Sequence, residues 1–304
     1  MLKFQNRAGR AEPQLIASRR IAVKQTILFG AAIALYALFL FAAERLFPLR
    51  TPTRRLWGRL VVNLTFAGVA FIVVSTLVKP AAEWTLVWSS ADDFGLVRSL
   101  PLPLWGQAAL AFALMDLTFY WWHRANHRIP LLWRFHNIHH IDPDLDVSTA
   151  FRFHFGELAF SAGFRILQVG LIGISAWTYL IYELVFQTGT LFHHSNMRLP
   201  LKVERLLVLL VVTPRMHGIH HSQVKGETNS NYSTVFSFWD RLHRTLGLSV
   251  PQSAIRIGIP GYADPGDNRL IKALMAPFRH HATTGVAPMA ACRSGLMPMA
   301  QRAN

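Results

Sequence analysis

Histidines in three short clusters constrain this chain more than any other feature of its sequence. The segment from His123 to His140 reads His-Arg-Ala-Asn-His, then eight further residues, then His-Asn-Ile-His-His, and a later cluster reads His-Gly-Ile-His-His from His217 to His221. Residues three or four apart share one face of a helix, so each cluster directs two or three imidazoles toward one point. Neutral imidazole is a ligand for iron, zinc, copper and nickel. The spacing therefore predicts a polyhistidine metal site.

Composition favours a membrane protein. Of the 304 residues, 52% are hydrophobic and 15% are charged, whereas soluble domains carry about 25% charged residues. The formal net charge of +15 would by itself permit nucleic-acid binding. The basic residues, however, flank apolar runs, as they do beside membrane spans, and attraction to anionic lipid headgroups explains that placement better. We therefore expect a membrane and no nucleic acid among the partners.

The first and last segments are predicted to lie outside the folded core. Residues 1–25 read as a basic N-terminal arm, and residues 251–304 as a C-terminal tail that is largely disordered at its end. The run 26–47 should remain as an anchor, because no small-residue cleavage site follows it. Cys292 is the single cysteine, which excludes an internal disulfide or a cysteine-bound Fe–S cluster.

Apolar runs in residues 26–250 predict four to five membrane helices. About 20 apolar residues cross a bilayer, and spans are expected at 26–47, 60–78 and 102–122. A loop is expected at 81–101, with an interfacial helix around Trp84 and Trp88 as the alternative for its first part. The run 157–187 is expected to form a helical hairpin, because histidines precede and follow it and a single crossing would separate them across the bilayer. Residues 206–212 are too few to span. The predicted fold is an all-α integral membrane bundle capped by a helical, histidine-rich di-metal site.

Charge in the loops predicts the orientation. The loop 48–59 and the segment 124–134 are basic, while the loop 81–101 is acidic, so both basic segments should face the cytosol together with the metal site. The basic N-terminal arm breaks this pattern. Either the first apolar run does not cross the membrane completely, or the rule that basic segments face the cytosol fails at one end.

Beyond this spacing, the order of motifs resembles the sterol desaturase / fatty acid hydroxylase superfamily over roughly residues 60–248. The blocks that carry the resemblance are Asp116-Leu-Thr-Phe-Tyr-Trp-Trp-His123-Arg-Ala-Asn-His127, Trp133-Arg-Phe-His136-Asn-Ile-His139-His140, Ser148-Thr-Ala-Phe-Arg-Phe-His154-Phe-Gly-Glu157, Phe192-His-His194-Ser-Asn196, Thr213-Pro-Arg-Met-His217-Gly-Ile-His220-His221, and Asn231-Tyr232 followed by Phe238-Trp-Asp240. The resemblance implies a membrane enzyme with two non-haem iron ions.

The resemblance also implies the ligands. They are His123, His127, His136, His139, His140, His217, His220 and His221, together with His194 and His154. A tenth ligand is in question at Thr190, where some relatives place histidine or glutamine. His193 is an alternative, although its offset of one residue from His194 points it elsewhere. For His154 the alternative is a hydrogen bond to Glu157 on the next turn.

Carboxylates are expected to support the imidazoles from behind, since ligating histidines usually donate their second N–H to an acid or a carbonyl. Asp116 is the first candidate, because it lies seven residues before His123 on the same helix face and inside an apolar span. Glu157 is the second, with Asp142 and Asp240 as further candidates. The alternative for Asp116 is a polar contact between helices.

The implied activity is O2-dependent hydroxylation or desaturation of an aliphatic C–H bond in a lipid. Two iron ions and O2 would be required, although zinc can occupy such sites in purified protein. The chain has no Gly-x-Gly-x-x-Gly stretch and no cysteine cluster, so the electrons must come from a cytochrome, ferredoxin or flavoprotein partner. The alternative is a non-catalytic membrane protein that binds metal or haem.

Overall fold

The computed structural model describes residues 28–262 and 264–278. Within these ranges the chain is helical, and the β-structure consists of isolated bridges, as the predicted all-α fold requires. The helices are α1 (Leu28–Leu46), α2 (Leu56–Ala91), α3 (Leu104–Arg128), α4 (Pro130–His140), α5 (Phe155–Ile172), α6 (Ala176–His194), α7 (Leu201–Leu207), α8 (Pro214–His220), α9 (Lys225–Thr228), α10 (Phe238–Leu242) and α11 (Leu270–Met275). The predicted arm 1–25, His280, His281 and Cys292 lie outside the described residues.

Three of the described helices, α1, α2 and α5, are long and apolar enough to cross a membrane. Their outer faces carry exposed apolar side chains such as Phe39, Phe71 and Leu167. Contiguous apolar surface of this kind suits contact with lipid rather than water. The pattern fits the predicted multi-pass membrane protein. Helix α3, which contains the predicted span 102–122, and helix α6 are not among these three helices.

Helix α2 is longer than the sequence predicts. The second span was expected to end before Pro80, but the helix continues through Pro80 to Ala91. The first half of 81–101 is therefore helical, as the alternative of a helix around Trp84 and Trp88 allowed, and the expected loop is confined to the second half. A π-helical turn at Val74–Val78 directly precedes Pro80. A π turn widens the helix locally and lets the chain absorb the missing proline N–H without ending.

The predicted hairpin is formed by α5 and α6. Gly173 ends α5 in the left-handed conformation (φ 71°), and the Ser175 side chain accepts a hydrogen bond from the Thr178 backbone to start α6. An ion pair of 2.8 Å joins Arg165 of α5 to Glu183 of α6. This ion pair compensates two charges inside the apolar bundle. The hairpin brings the chain back to the end of the bundle at which α5 begins.

The described part of the predicted C-terminal tail packs against the bundle. Ala273 and Ala276 lie in a core cluster with Phe66 of α2 and Ile138 of α4. Arg152 also donates to the Asn268 side chain at 2.9 Å. Apolar residues within 270–276 pack against α4, the helix that carries His136, His139 and His140. The polar composition after Asp240 did not predict this contact.

Candidate metal centre

Nine of the predicted histidines meet in two adjoining groups at one end of the bundle. The five-histidine group is His123, His127, His136, His140 and His220, and the four-histidine group is His139, His194, His217 and His221. Within each group, one ligand atom from every ring lies within 4.8 Å of all the others. The early and late clusters of the sequence therefore converge.

Local helix geometry divides the rings between the groups. Helix α3 ends with His123 and His127, and Pro130 starts α4 almost immediately, so α4 turns back toward them. His139 and His140 are adjacent in sequence, and a step of about 100° around the helix sends them to different groups. Helix α8 divides its histidines in the same way. Its N-terminus is fixed by the Thr213 side chain, which accepts from the Met216 backbone.

Nitrogen spacing in the four-histidine group suits a shared cation. The Nε2 atom of His194 lies 2.9 Å from that of His139 and 3.0 Å from that of His217, and the Nε2 atoms of His217 and His221 are 3.1 Å apart. Metal–nitrogen bonds of about 2.0–2.1 Å place neighbouring ligand nitrogens about 3 Å apart. The four rings thus have the spacing of ligands around one ion.

The five-histidine group presents ligand atoms that lack protein partners. The Nε2 atoms of His127, His136, His140 and His220 are buried and receive no hydrogen bond. Burial lowers the pKa of His220 to about 3, and it lowers the pKa of His140 well below its usual value. The His140 and His220 rings are therefore neutral, which is the form that binds metals. Buried and unpartnered lone pairs are costly unless an ion occupies the site.

Hydrogen bonds behind the rings fix which nitrogen faces inward. Nδ1 of His123 bonds to the Tyr232 carbonyl at 2.7 Å, and Nδ1 of His220 bonds to the Ser230 carbonyl at 2.7 Å. Nδ1 of His194 likewise bonds to the Thr190 carbonyl at 2.8 Å. A carbonyl can only accept, so Nδ1 carries the proton and Nε2 keeps its lone pair for a metal.

Glu157 lies directly behind the five-histidine group. Its Oε1 atom accepts from Nδ1 of His136 at 2.8 Å, and both side chains are buried. This is the contact that orients a ligating ring and raises its basicity. The carboxylate also lies next to a site whose ligands are imidazoles, which bring no negative charge of their own to a metal ion.

His154 lies outside both groups. Its Nδ1 atom accepts from the Gly156 backbone at 3.0 Å and caps α5, while Nε2 donates to the Leu274 carbonyl at 3.2 Å. Both ring nitrogens are thus occupied, and the alternative bond to Glu157 is replaced by the bond between Glu157 and His136. The structure gives His154 a role in joining α5 to the C-terminal segment.

Asp116 is directed away from the imidazoles. Its carboxylate accepts from the backbone N–H groups of Val235 and Phe236 at 3.3 and 3.0 Å, and from the Trp239 indole at 2.8 Å. This is the contact between elements that was the alternative for Asp116. It holds the segment after Tyr232, so its connection with the rings is indirect.

Asp240 and Asp142 support the centre from two sides. Asp240 accepts from the Tyr232 and Ser233 backbones at 2.9 Å each, which positions the Tyr232 carbonyl behind His123. Asp142 pairs with Arg59 at 2.7 Å and anchors the turn that follows α4 to α2. The Arg59 guanidinium holds the pKa of Asp142 well below its usual range despite burial.

Thr190 and His193 do not join the nine ligand atoms. The Thr190 carbonyl holds His194, while its buried hydroxyl has no hydrogen-bond partner. His193 is buried with its ring centroid 4.1 Å from that of His217, outside both groups. Sequence reasoning missed the carbonyls of Tyr232 and Ser230, because any residue can supply a backbone oxygen.

An all-helical membrane bundle with two adjoining imidazole groups defines a membrane polyhistidine protein with room for two metal ions. The fatty acid hydroxylase family matches residues 108–245, which contain all nine histidines. The resemblance to the sterol desaturase / fatty acid hydroxylase superfamily is thereby confirmed. No solved structure gives a significant match.

The names of individual relatives describe enzymes that act on several different lipids. Ornithine lipid hydroxylase OlsE of Rhizobium tropici is 28% identical over 83% of this chain and 75% of its own length. Human alkylglycerol monooxygenase is 29% identical over 54% of this chain and 35% of its own length. Human cholesterol 25-hydroxylase is 30% identical over 45% of this chain and 50% of its own length. The match therefore spans about a third to a half of the last two proteins.

Proposed function

We propose that this protein is an O2-dependent di-iron oxidoreductase that hydroxylates or desaturates an aliphatic C–H bond of a membrane lipid. The observation that carries the proposal is the pair of adjoining imidazole groups, almost all of them buried, at the end of apolar helices. The relatives support the reaction class, because their names describe hydroxylases and monooxygenases of an ornithine lipid, alkylglycerol and cholesterol.

The five-histidine group would hold one iron ion and the four-histidine group the other. Iron held there would supply the activation of O2. The lipid would give up two electrons as its C–H bond is oxidised, and an external donor would supply the other two electrons, with protons, that the reduction of O2 to water requires. Carbonyls and Glu157 keep the Nδ1 protons in place, so the Nε2 lone pairs stay directed at the metal positions. Burial of the rings excludes bulk water from the reacting carbon.

Aromatic side chains near His123 would guide the lipid chain. Trp122 stacks on Phe164 of α5 with ring centroids 4.7 Å apart, and Phe119 meets Phe186 of α6 at 4.5 Å. These rings join α3 to both arms of the hairpin directly below the centre. A substrate with its tail among the helices would reach the metals along this apolar surface.

An electron-transfer protein completes the proposed system. A cytochrome, ferredoxin or flavoprotein would dock on the cytosolic face, to which we assign the metal centre because the adjacent segments are basic. Arg124 and Arg128 lie at the end of α3 beside the ligands. An acidic donor would be attracted to that charge.

Metal analysis combined with lipid profiling tests the proposal. We expect about two irons for each chain in anaerobically purified protein, in line with two histidine groups. We also expect an oxidised lipid in cells that express the protein, and its absence in cells that express the His139→Ala/His220→Ala double variant. Haem absorption, or full metal retention in that variant, would contradict the di-iron assignment and favour a non-catalytic binder.

A further inference from the structure

A cavity of about 280 Å³ lies beside the metal centre, at the connection between α1 and α2. It is lined by five arginines, Arg45, Arg50, Arg54, Arg59 and Arg256, and by two aspartates. Arg45 and Arg59 are ion-paired with Asp146 and Asp142 at 3.0 and 2.7 Å, so the excess of positive charge comes from the remaining arginines, of which Arg50 and Arg256 have no carboxylate within ion-pair distance among the described residues. The aspartates are already engaged: Asp146 accepts from Arg59 at 2.6 Å, and Asp144 accepts from the Thr53 backbone at 2.7 Å. The cavity therefore favours an anion.

Arg50 provides a specific recognition edge. Its Nη1 atom donates to the Gln252 side chain at 2.6 Å, while Nε and Nη2 have no hydrogen-bond partner. Those two atoms form the side-on fork of a guanidinium, whose parallel N–H groups match two oxygens of a phosphate. Both atoms are buried in this conformation, so the Arg50 side chain would have to turn toward the cavity to reach a ligand. Leaving both donors unpaired out of water is unfavourable, and a bound oxyanion would satisfy them together.

The cavity lies at the depth expected of lipid headgroups. Leu46 ends α1 and Trp57 begins α2, and their side chains are 72% and 78% exposed. Tryptophan and apolar side chains at the ends of spans mark the membrane interface. A cavity of this size is near the lower limit for ligand pockets, about 300–1,000 Å³, so it suits a headgroup rather than a whole lipid.

We propose that this cavity binds the phosphate group of a membrane lipid, with Arg50 as the bidentate donor and Arg256 as a second cation. The inference goes beyond the proposed oxidation, because it holds whichever metal fills the histidine groups. The position of Arg50 also explains why residue 218 is a glycine. The Arg50 guanidinium occupies the space that a Cβ at Gly218 would need, so the cavity and the His217–His221 cluster share a wall.

Calorimetric titration of the purified protein in a neutral detergent tests the proposal. Three probes separate the sources of the ligand: dihexanoyl phosphatidic acid, inorganic phosphate and dihexanoylglycerol. We expect saturable binding of the phosphatidic acid, binding of inorganic phosphate that is weaker by about tenfold or more, and no response to dihexanoylglycerol.

Variants locate the binding site. Arg50→Gln should weaken binding of the phosphatidic acid by about tenfold, because a charge-assisted pair of hydrogen bonds is lost. Arg55→Gln is the matched control, since Arg55 is exposed on the same connection and does not line the cavity. Arg256→Gln changes an exposed side chain that does line it and should weaken binding by about threefold.

Metal content of each variant shows whether it has folded, independently of any lipid oxidation. If Arg50→Gln loses its metal, the result with Arg256→Gln decides. Equal binding by the Arg256 and Arg55 variants, or inorganic phosphate that binds as tightly as the short-chain lipid, would overturn the proposal. Failure to oxidise lipid would leave these binding results unchanged and would count against the proposed function alone.

Discussion

The two histidine groups differ in what holds their rings. In the five-histidine group, Nδ1 of His123, His136 and His220 bonds to a carbonyl or carboxylate at 2.7–2.8 Å. In the four-histidine group only His194 has such a bond among the described residues, and Nδ1 of His139, His217 and His221 has none. His139 instead stacks on Phe153, with ring centroids 4.8 Å apart.

This difference separates two ways of preparing a metal site. Hydrogen bonds orient three of the five rings, those of His123, His136 and His220, before any ion arrives, so less freedom is lost on binding than in the four-histidine group. Packing confines the rings of the four-histidine group but leaves their rotation less defined. We therefore expect the five-histidine group to bind its ion more tightly, and a chelator to empty the four-histidine group first.

Removal of one ligand from each group should have the largest effect. His220→Ala and His221→Ala delete neighbouring rings that serve different groups. Each variant should retain about one metal ion and lose lipid oxidation by more than about 100-fold, because a ligand contributes more than the outer contacts that are worth 10–100-fold. Metal analysis and product formation provide the measurement. Loss of both ions from both variants would show that the groups act as one site.

Glu157→Gln should produce the next largest effect and should weaken the preference between the groups. The neutral amide accepts the His136 N–H less strongly, so metal affinity of the five-histidine group should fall by about 10–100-fold. Metal content during titration with a chelator measures this change, and the order in which the ions leave should become less distinct or reverse. Glu83→Gln, at an exposed position on α2, is the control and should leave the order as it is in the unmodified protein.

Thr190→Val should have the smallest effect and sharpens the account of the four-histidine group. His194 is held by the Thr190 backbone carbonyl, and the Thr190 hydroxyl is unpartnered. Valine has nearly the same shape and keeps that carbonyl, so metal content and activity should change by less than about twofold. A large loss of metal from Thr190→Val would mean that the hydroxyl is a ligand.

Spacing in the sequence was enough to identify eight of the nine converging rings, because helical periodicity fixes which side chains share a face. The ninth, His194, was identified only through the resemblance to the superfamily. His154 has no such partner at three or four residues, and its position at the start of α5 depends on a cap and on Leu274, far along the chain. Tertiary contacts of this kind leave no local pattern. Asp116 shows the same limit, since a helix face specifies a direction but not which element packs there.

The fold was predictable to a similar extent. The hairpin of α5 and α6 was predictable because histidines precede and follow one apolar run and had to reach the same site. The structure places its turn at Gly173. The continuation of α2 past Pro80 was not predictable, because it depends on a π turn that sequence rules treat as rare. The return of residues 270–276 onto Phe66 and Ile138 was missed for another reason, namely that short apolar segments have no periodicity long enough to recognise.

The turn after His140 is attached to α1 and α2, and this attachment limits how far the polypeptide can be shortened. Glu44 accepts from the Val147 and Asn196 backbones at 3.1 and 2.8 Å, and Arg59 neutralises Asp142 and Asp146. Both anchors precede residue 108, where the family match begins. A polypeptide that begins at residue 108 would keep all nine histidines of the two groups, but Asp142 and Asp146 would lose the Arg59 guanidinium that pairs with them. A shortened version of the protein would therefore need other groups to replace Glu44 and Arg59 in these contacts.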